Sequence, residues 1–275
     1  MIFEQTYDLI KYKYGKVLNR LKISDVTIGL YLTAVRLSDG TFGTSATLME
    51  KSPFCAKYDR DFGELTPLKI RERNVIDVLE IKKESTLISS LKTAVLNAIS
   101  SKIISNGNYN ILENRDPIEL IDLKSGKTVT IVGAFQSYIR KISQTSNKLF
   151  VIELNENALQ KDQKRYFVPA GDYKKVLPES DIVILTGQTI PNGTIDNLLA
   201  FVSPNAEVIV TGPSSGLLPD ILFKNKVSVI GAIRIIKPEL LFDIVREGGT
   251  GYHLFEYCAK KICIVKEQVQ QINNK

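Results

Sequence analysis

The chain has 275 residues, 44% hydrophobic and 24% charged, enough for two modest domains or one large one with real cores. Its 36 basic and 30 acidic residues leave a net charge of +6, but the lysines are scattered among acids without an arginine-aromatic block, which speaks for a solvated surface and against a nucleic-acid partner. Three cysteines, Cys55, Cys258 and Cys263, lack metal-ligand spacing and read as reduced thiols, and the absence of a signal-peptide core or a segment of membrane-span length excludes a membrane partner and places the protein in the cytoplasm.

In chain order, Tyr7, Ile10, Tyr14, Val17, Leu18 and Leu21 fall at helical spacing and predict an amphipathic first helix. A hairpin follows over residues 26–35 and 41–47, turned at Ser38-Asp39-Gly40, where glycine supplies the positive φ that a tight connection needs. Residues 54–61 are polar and turn-rich. A second helical section breaks at residues 82–85 and resumes through Leu87, Leu91, Val95, Ile99 and Ile103, with Ser85 as its cap. Residues 106–127 collect Asn, Gly, Asp-Pro and Ser-Gly and read as the linker between a front domain, 1–120, and a back domain, 121–275. The back domain alternates strand and helix. Strands are predicted at 129–132, 149–154, 181–185, 207–210, 227–230 and 261–265, with helices at 194–201 and 238–247, the rhythm of a Rossmann-like, doubly wound, mostly parallel α/β sheet. The front domain has α+β texture.

The chemistry concentrates in the turns after the strands, because open α/β sheets bind ligands beyond their carboxyl ends. The first back-domain strand ends at Gly133, a single glycine where a dinucleotide fingerprint has three, and the next ends at Glu153, placed to accept a bond from a ribose hydroxyl. Either could equally be an ordinary βα turn and a solvent-facing acid. Thr186, Gly187, Gln188 and Thr189 form a polar turn that leads to Asn192, Gly193 and Thr194, where a helix start would leave N–H groups open to an anion. Gly212, Pro213, Ser214 and Ser215 repeat that arrangement one strand on. Gly248 and Gly249 close a late helix as a left-handed cap or join the site, and the lone His253 reads as structural. No His, Cys and carboxylate cluster has metal-ligand spacing, so no protein-built metal site is expected, and the GPSSG turn lacks a nucleophile elbow.

These segments, above all ILTGQTIPNGTIDNLL, VTGPSSGLLP and REGGT, together with Gly43 to Thr47 and Ala94-Val95-Leu96-Asn97-Ala98 in front, resemble the putative heavy-metal chelation family. The resemblance spans nearly the whole chain. It implies an enolase-amino-terminal-like front domain joined to a Rossmann-like domain, with a cleft between them lined by the strand-end turns and by polar residues of the front domain. The turn after Gly133 is poorer in glycine than the family pattern. Two functions fit: an enzyme or ligand-handling protein whose cleft binds an anionic small molecule, nucleotide-type or metal-chelating, or a non-catalytic heavy-metal or metal-chelate binding protein. In the first, Gly187, Thr189, Asn192, Thr194, Gly212, Ser214 and Ser215 supply hydrogen bonds, Asn97 and Glu153 orient the ligand, and Glu153 is the candidate proton acceptor. A homo-oligomer fits either function.

Overall fold

The computed structural model describes residues 1–49, 65, 67–124 and 126–266. The turn-rich stretch at 54–61 and Cys55 lie outside the described residues.

The first helix, α1 (Ile2–Leu18), buries Ile2, Thr6, Tyr7, Ile10 and Leu18, whereas Tyr14 and Val17 of the expected apolar face are exposed. The cause is a kink at Tyr14 (φ −128°, ψ 17°), which rotates the last turn out of register with the first three. The strand expected at 26–35 is two strands. β1 (Ile23–Ile28) and β2 (Leu32–Leu37) turn at residues 29–31, and β3 (Phe42–Ala46) completes a three-stranded antiparallel sheet through the expected turn at Gly40, φ +83°. β2 is central and covered on both faces, its side chains alternating as strand geometry requires. Val35 and Leu37 meet the long helix α3 (Thr86–Asn106), while Leu32 and Ala34 meet α8 (Pro238–Arg246). The short α2 (Val75–Leu79) precedes α3 and starts at Asn74, whose side chain accepts the Ile76 N–H at 2.8 Å. Ser85 holds the N-cap position of α3 as expected. At 21 residues α3 is, by length and composition, apolar enough to cross a membrane, which corrects the expectation that no segment reaches that length. Its apolar window is 67% buried inside the protein.

The second sheet has eight strands: β4 (Asn110–Glu113), β5 (Thr128–Val132), β6 (Lys148–Glu153), β7 (Phe167–Pro169), β8 (Ile182–Thr186), β9 (Glu207–Thr211), β10 (Val227–Ile235) and β11 (Ala259–Val265). They lie in the order β4-β11-β10-β9-β8-β5-β6-β7. From β7 to β10 all neighbours are parallel, and β7-β6-β5-β8-β9-β10 is the 3-2-1-4-5-6 order of a Rossmann-like sheet. β11 and β4 extend it antiparallel. β4 lies inside the stretch expected as a linker, which corrects that reading. Its first three residues, Asn110, Ile111 and Leu112, are all half-buried, so the sequence there shows turn residues without an alternating burial pattern. β7 is three residues long and was not legible. β10 runs five residues past its predicted end because its second half pairs with β11 alone, against α8 and α9 (Gly251–Tyr257).

One apolar core joins both parts: Ala94, Leu96 and Ala98 of α3 share it with Val210, Leu217, Leu218, Ile230 and Ile262 of the large sheet and its turns. A second core fills the other face of that sheet beneath α4 (Gln136–Ser143).

Candidate functional site

Between β5 and β8 the winding of the large sheet reverses, and the carboxyl ends of these strands diverge into a crevice. A pocket of about 490 Å³ occupies it, within the size range of small-molecule sites. One wall is the turn after β5. Gly133 has φ +102°, and an added Cβ would stand 3.1 Å from Thr186, so the turn needs glycine on both counts. The turn closes on itself through Phe135 N–H to the Gly133 carbonyl at 3.0 Å. Phe135, not a further glycine, follows it into the pocket, its ring stacked on Tyr138. The further glycines that would let a pyrophosphate approach the backbone closely are missing from this turn.

The opposite wall is the turn after β8. Thr189 is buried and donates its hydroxyl to the Thr186 carbonyl at 2.7 Å. Asn192 Oδ1 accepts both the Thr194 N–H at 3.0 Å and the Thr194 hydroxyl at 2.7 Å, folding Asn192-Gly193-Thr194 into an Asx turn with Gly193 at φ +71°. Thr186, Gln188, Asn192, Thr194 and Asn197 leave polar groups along this wall. The floor is apolar, from Val132, Ile152 and Leu198. At the β6 end stands Glu153. Its Oε1 accepts the Leu154 and Asn155 N–H groups at 2.7 and 3.4 Å, which fixes the carboxylate at the strand end, and Leu154, Ala170 and Tyr173 border it. Glu153 is the one charged residue of the lining. Among the described residues no lysine or arginine lines the pocket, so an anion there would rest on neutral N–H, amide and hydroxyl donors.

The turn after β9, which looks the same in sequence, is built differently. β3 is an edge strand of the small sheet, and its outward backbone groups at Thr44 and Ala46 are buried against this turn. Ser214 Oγ accepts the Ala46 N–H at 2.7 Å, Asn97 Nδ2 donates to the Thr44 carbonyl at 2.8 Å and to the Ser214 carbonyl at 3.1 Å, and Thr44 Oγ1 donates to the Pro213 carbonyl at 2.9 Å. Ser215 is fully buried and donates to the Gly212 and Gly231 carbonyls. These contacts clasp the two parts of the chain, because an edge strand buried at a junction must have its backbone groups paired. Ser214, Ser215 and Asn97, expected as ligand contacts, thus hold the clasp, while Ser214 also lines the neighbouring cavity and Asn97 keeps a buried, unbonded Oδ1. Gly187 belongs with them: a Cβ there would meet the Ser215 nitrogen at 2.9 Å, so its smallness lets the two turns pack. Gly187, Gly212, Pro213 and Ser214 also line a neighbouring cavity of about 330 Å³ beneath the β1–β2 turn.

Gly248, at φ +77°, and Gly249, whose Cβ would meet Ile244, terminate α8 and line neither cavity, which corrects their expected place in the site. His253 caps a helix. Its Nδ1 accepts the Thr250 N–H at 3.0 Å, the reciprocal half of a capping box at the start of α9. Burial pushes the Cys258 thiol up to about 11 and, with Asp116 nearby, the Cys263 thiol up to about 12, so neither offers a thiolate at neutral pH. Among the described residues no group of three or more His, Cys, Asp and Glu could hold a metal ion. Sequence reasoning missed Tyr173, Ala170 and Asn197, the first two because they follow the short β7.

A family model described as putative heavy-metal chelation matches residues 116–264, and a second of the same description matches residues 12–100. Among solved structures, a family protein of unknown function from Pyrococcus horikoshii is 22% identical, with a TM-score of 0.77 over 97% of this chain and 100% of that one. Another, from Desulfitobacterium hafniense DCB-2, is 18% identical, with a TM-score of 0.68 over 94% of this chain and 100% of that one. At these identities the likeness speaks for the fold. No curated protein matches the chain.

Proposed function

From the premise that this chain belongs to the putative heavy-metal chelation family, we propose that it is a ligand-handling protein whose seat is the pocket at the β5–β8 switch point and whose ligand contains a nucleoside-like part. The observation that carries this is the lining itself: an apolar floor, a row of hydroxyl and amide groups, and a single acid at the end of β6. Glu153 at that place suits a pair of vicinal hydroxyls, with Tyr173 and Leu154 beside it for a flat base. The lack of a lysine or arginine in the lining among the described residues and the single glycine of the Gly133 turn favour the nucleoside part over a pyrophosphate, and so narrow the anionic ligand expected from the sequence. A metal handled by such a site arrives with donor atoms supplied by the ligand, because the described residues offer no cluster of their own. Glu153 is also the group available to accept a proton.

Titration calorimetry with adenosine, ADP and divalent cations tests this. Adenosine is expected to bind the wild-type protein, and Glu153→Gln, which keeps the amide-accepting oxygen, is expected to weaken it about ten- to a hundredfold, since a hydrogen bond to a charged group contributes about 1.5–3 kcal/mol. ADP should gain nothing over adenosine. Tighter ADP binding together with an indifferent Glu153→Gln variant sinks the proposal. The second reading, direct metal binding, is favoured by the family description, and tight binding of a divalent cation without any organic ligand would establish it instead.

A further inference from the structure

We infer that the ligand of the switch-point pocket is bipartite, a nucleoside head at Glu153 continued by an uncharged apolar tail that lies beneath the β1–β2 turn. The inference rests on the switch-point reading and extends it. The pocket of about 490 Å³ and the neighbouring cavity of about 330 Å³ share Phe135, Thr186 and Gln188, so they are two chambers along one sheet edge. Along that edge the strand ends run β6, β5, β8, β9, three steps of about 4.8 Å, so a ligand reaching from Glu153 to Pro213 spans roughly 14 Å. That length exceeds a nucleoside and matches one extended at its 5′ end.

The chemistry of the tail follows from the second chamber. Among the described residues no charged side chain lines it, and its rim carries Leu30, 49% exposed, and Tyr31, 52% exposed. Two large apolar side chains held open over a cavity mark a contact surface rather than scattered exposure. The turn that presents them is fixed in place. Gly29 lies so close to α8 that a Cβ would meet the Val245 carbonyl oxygen, its N–H bonds the Leu32 carbonyl at 2.9 Å, and the Tyr31 carbonyl accepts the Thr47 N–H at 2.9 Å. The rim is thus preformed. The exposed Gln188 amide stands at the junction of the chambers, where head and tail would join.

The test compares adenosine with a 5′-deoxy-5′-hexylthio-adenosine on the wild-type protein, on Glu153→Gln and on the double variant Leu30→Ser with Tyr31→Ala. The extended nucleoside is expected to bind at least tenfold tighter than adenosine. The double variant, which alters exposed side chains and leaves the backbone bonds of the turn intact, should lose that gain and keep the affinity for adenosine. If adenosine binds and responds to Glu153→Gln but the hexyl chain adds nothing, the tail chamber is refuted and the head pocket stands. A gain that survives in the double variant places the tail elsewhere and also refutes the inference. Failure of both nucleosides to bind overturns the head and the tail together.

Discussion

Replacing Ser214 by alanine separates a clasp from a ligand contact. Ser214 is 1% exposed and its Oγ is the acceptor of the Ala46 N–H at 2.7 Å, on a strand edge that is itself buried. The alanine leaves that N–H without a partner, at a cost of about 1–3 kcal/mol. Taking about 2 kcal/mol, and about 2–4 °C per kcal/mol for a chain of this size, the midpoint of thermal unfolding should fall by about 4–8 °C. Circular dichroism melts at neutral pH measure this directly. The companion Gln188→Ala, at an exposed position, should melt within about 2 °C of wild type. Binding should show the reverse order: Ser214→Ala retains wild-type affinity for adenosine at a temperature where it is folded, because the hydroxyl faces Ala46. An unchanged melt with lost affinity would show that Ser214 contacts the ligand and that the clasp is misassigned.

Three further perturbations probe the frame. Burial raises the Asp116 carboxyl, but Lys261 Nζ at 2.6 Å and the Tyr138 hydroxyl outweigh it and hold the group below its ordinary value. Its contribution is therefore full at neutral pH and is lost as pH falls through and below about 4, so the stability gap between wild type and Asp116→Asn, read from urea midpoints, should close on acidification. A gap that does not narrow at all as the pH falls below about 4 contradicts this. His253→Ala removes half of the capping box on α9 and should lower the melt by about 2–4 °C, for about 1 kcal/mol, without touching adenosine binding; weakened binding would give His253 a role in the site. Gly187→Ala places a methyl group 2.9 Å from the Ser215 nitrogen and should destabilise by about 1–3 kcal/mol in a denaturant titration, whereas a neutral outcome would mean the two turns do not pack as described.

The sequence carried the parallel strands well, because β5, β8 and β9 are short β-branched runs buried on both faces and bounded by turn residues. The candidate residues also gather in space: Gly133, Glu153, Thr186, Thr189, Asn192 and Thr194 line one pocket. What the sequence could not tell apart were the two Thr-Gly turns. Thr186-Gly187 and Thr211-Gly212 have the same local chemistry, and they differ through what lies opposite: the switch-point pocket for one, and for the other the edge of β3 beside the second cavity. Asn97 misled for the same reason. A buried amide on an apolar helix suggests a ligand, yet it answers a strand edge that is more than fifty residues away in sequence. Leu30 and Tyr31 were hidden inside what read as a continuous strand, and the Gly29 that breaks it acts through contact with α8, a partner no local pattern reveals. The capping contact of His253, by contrast, is local, because its partner, Thr250, is three residues away.

Amide hydrogen exchange followed by mass spectrometry, with and without saturating adenosine, bears most directly on the central claim that the β5–β8 crevice holds the ligand while the β9 turn holds the protein together. The account predicts new protection at residues 133–136 and 186–194, and at 212–216 strong protection already present before ligand is added and unchanged by it. Ligand-induced protection confined to 212–216, with none at 133–136, would contradict it.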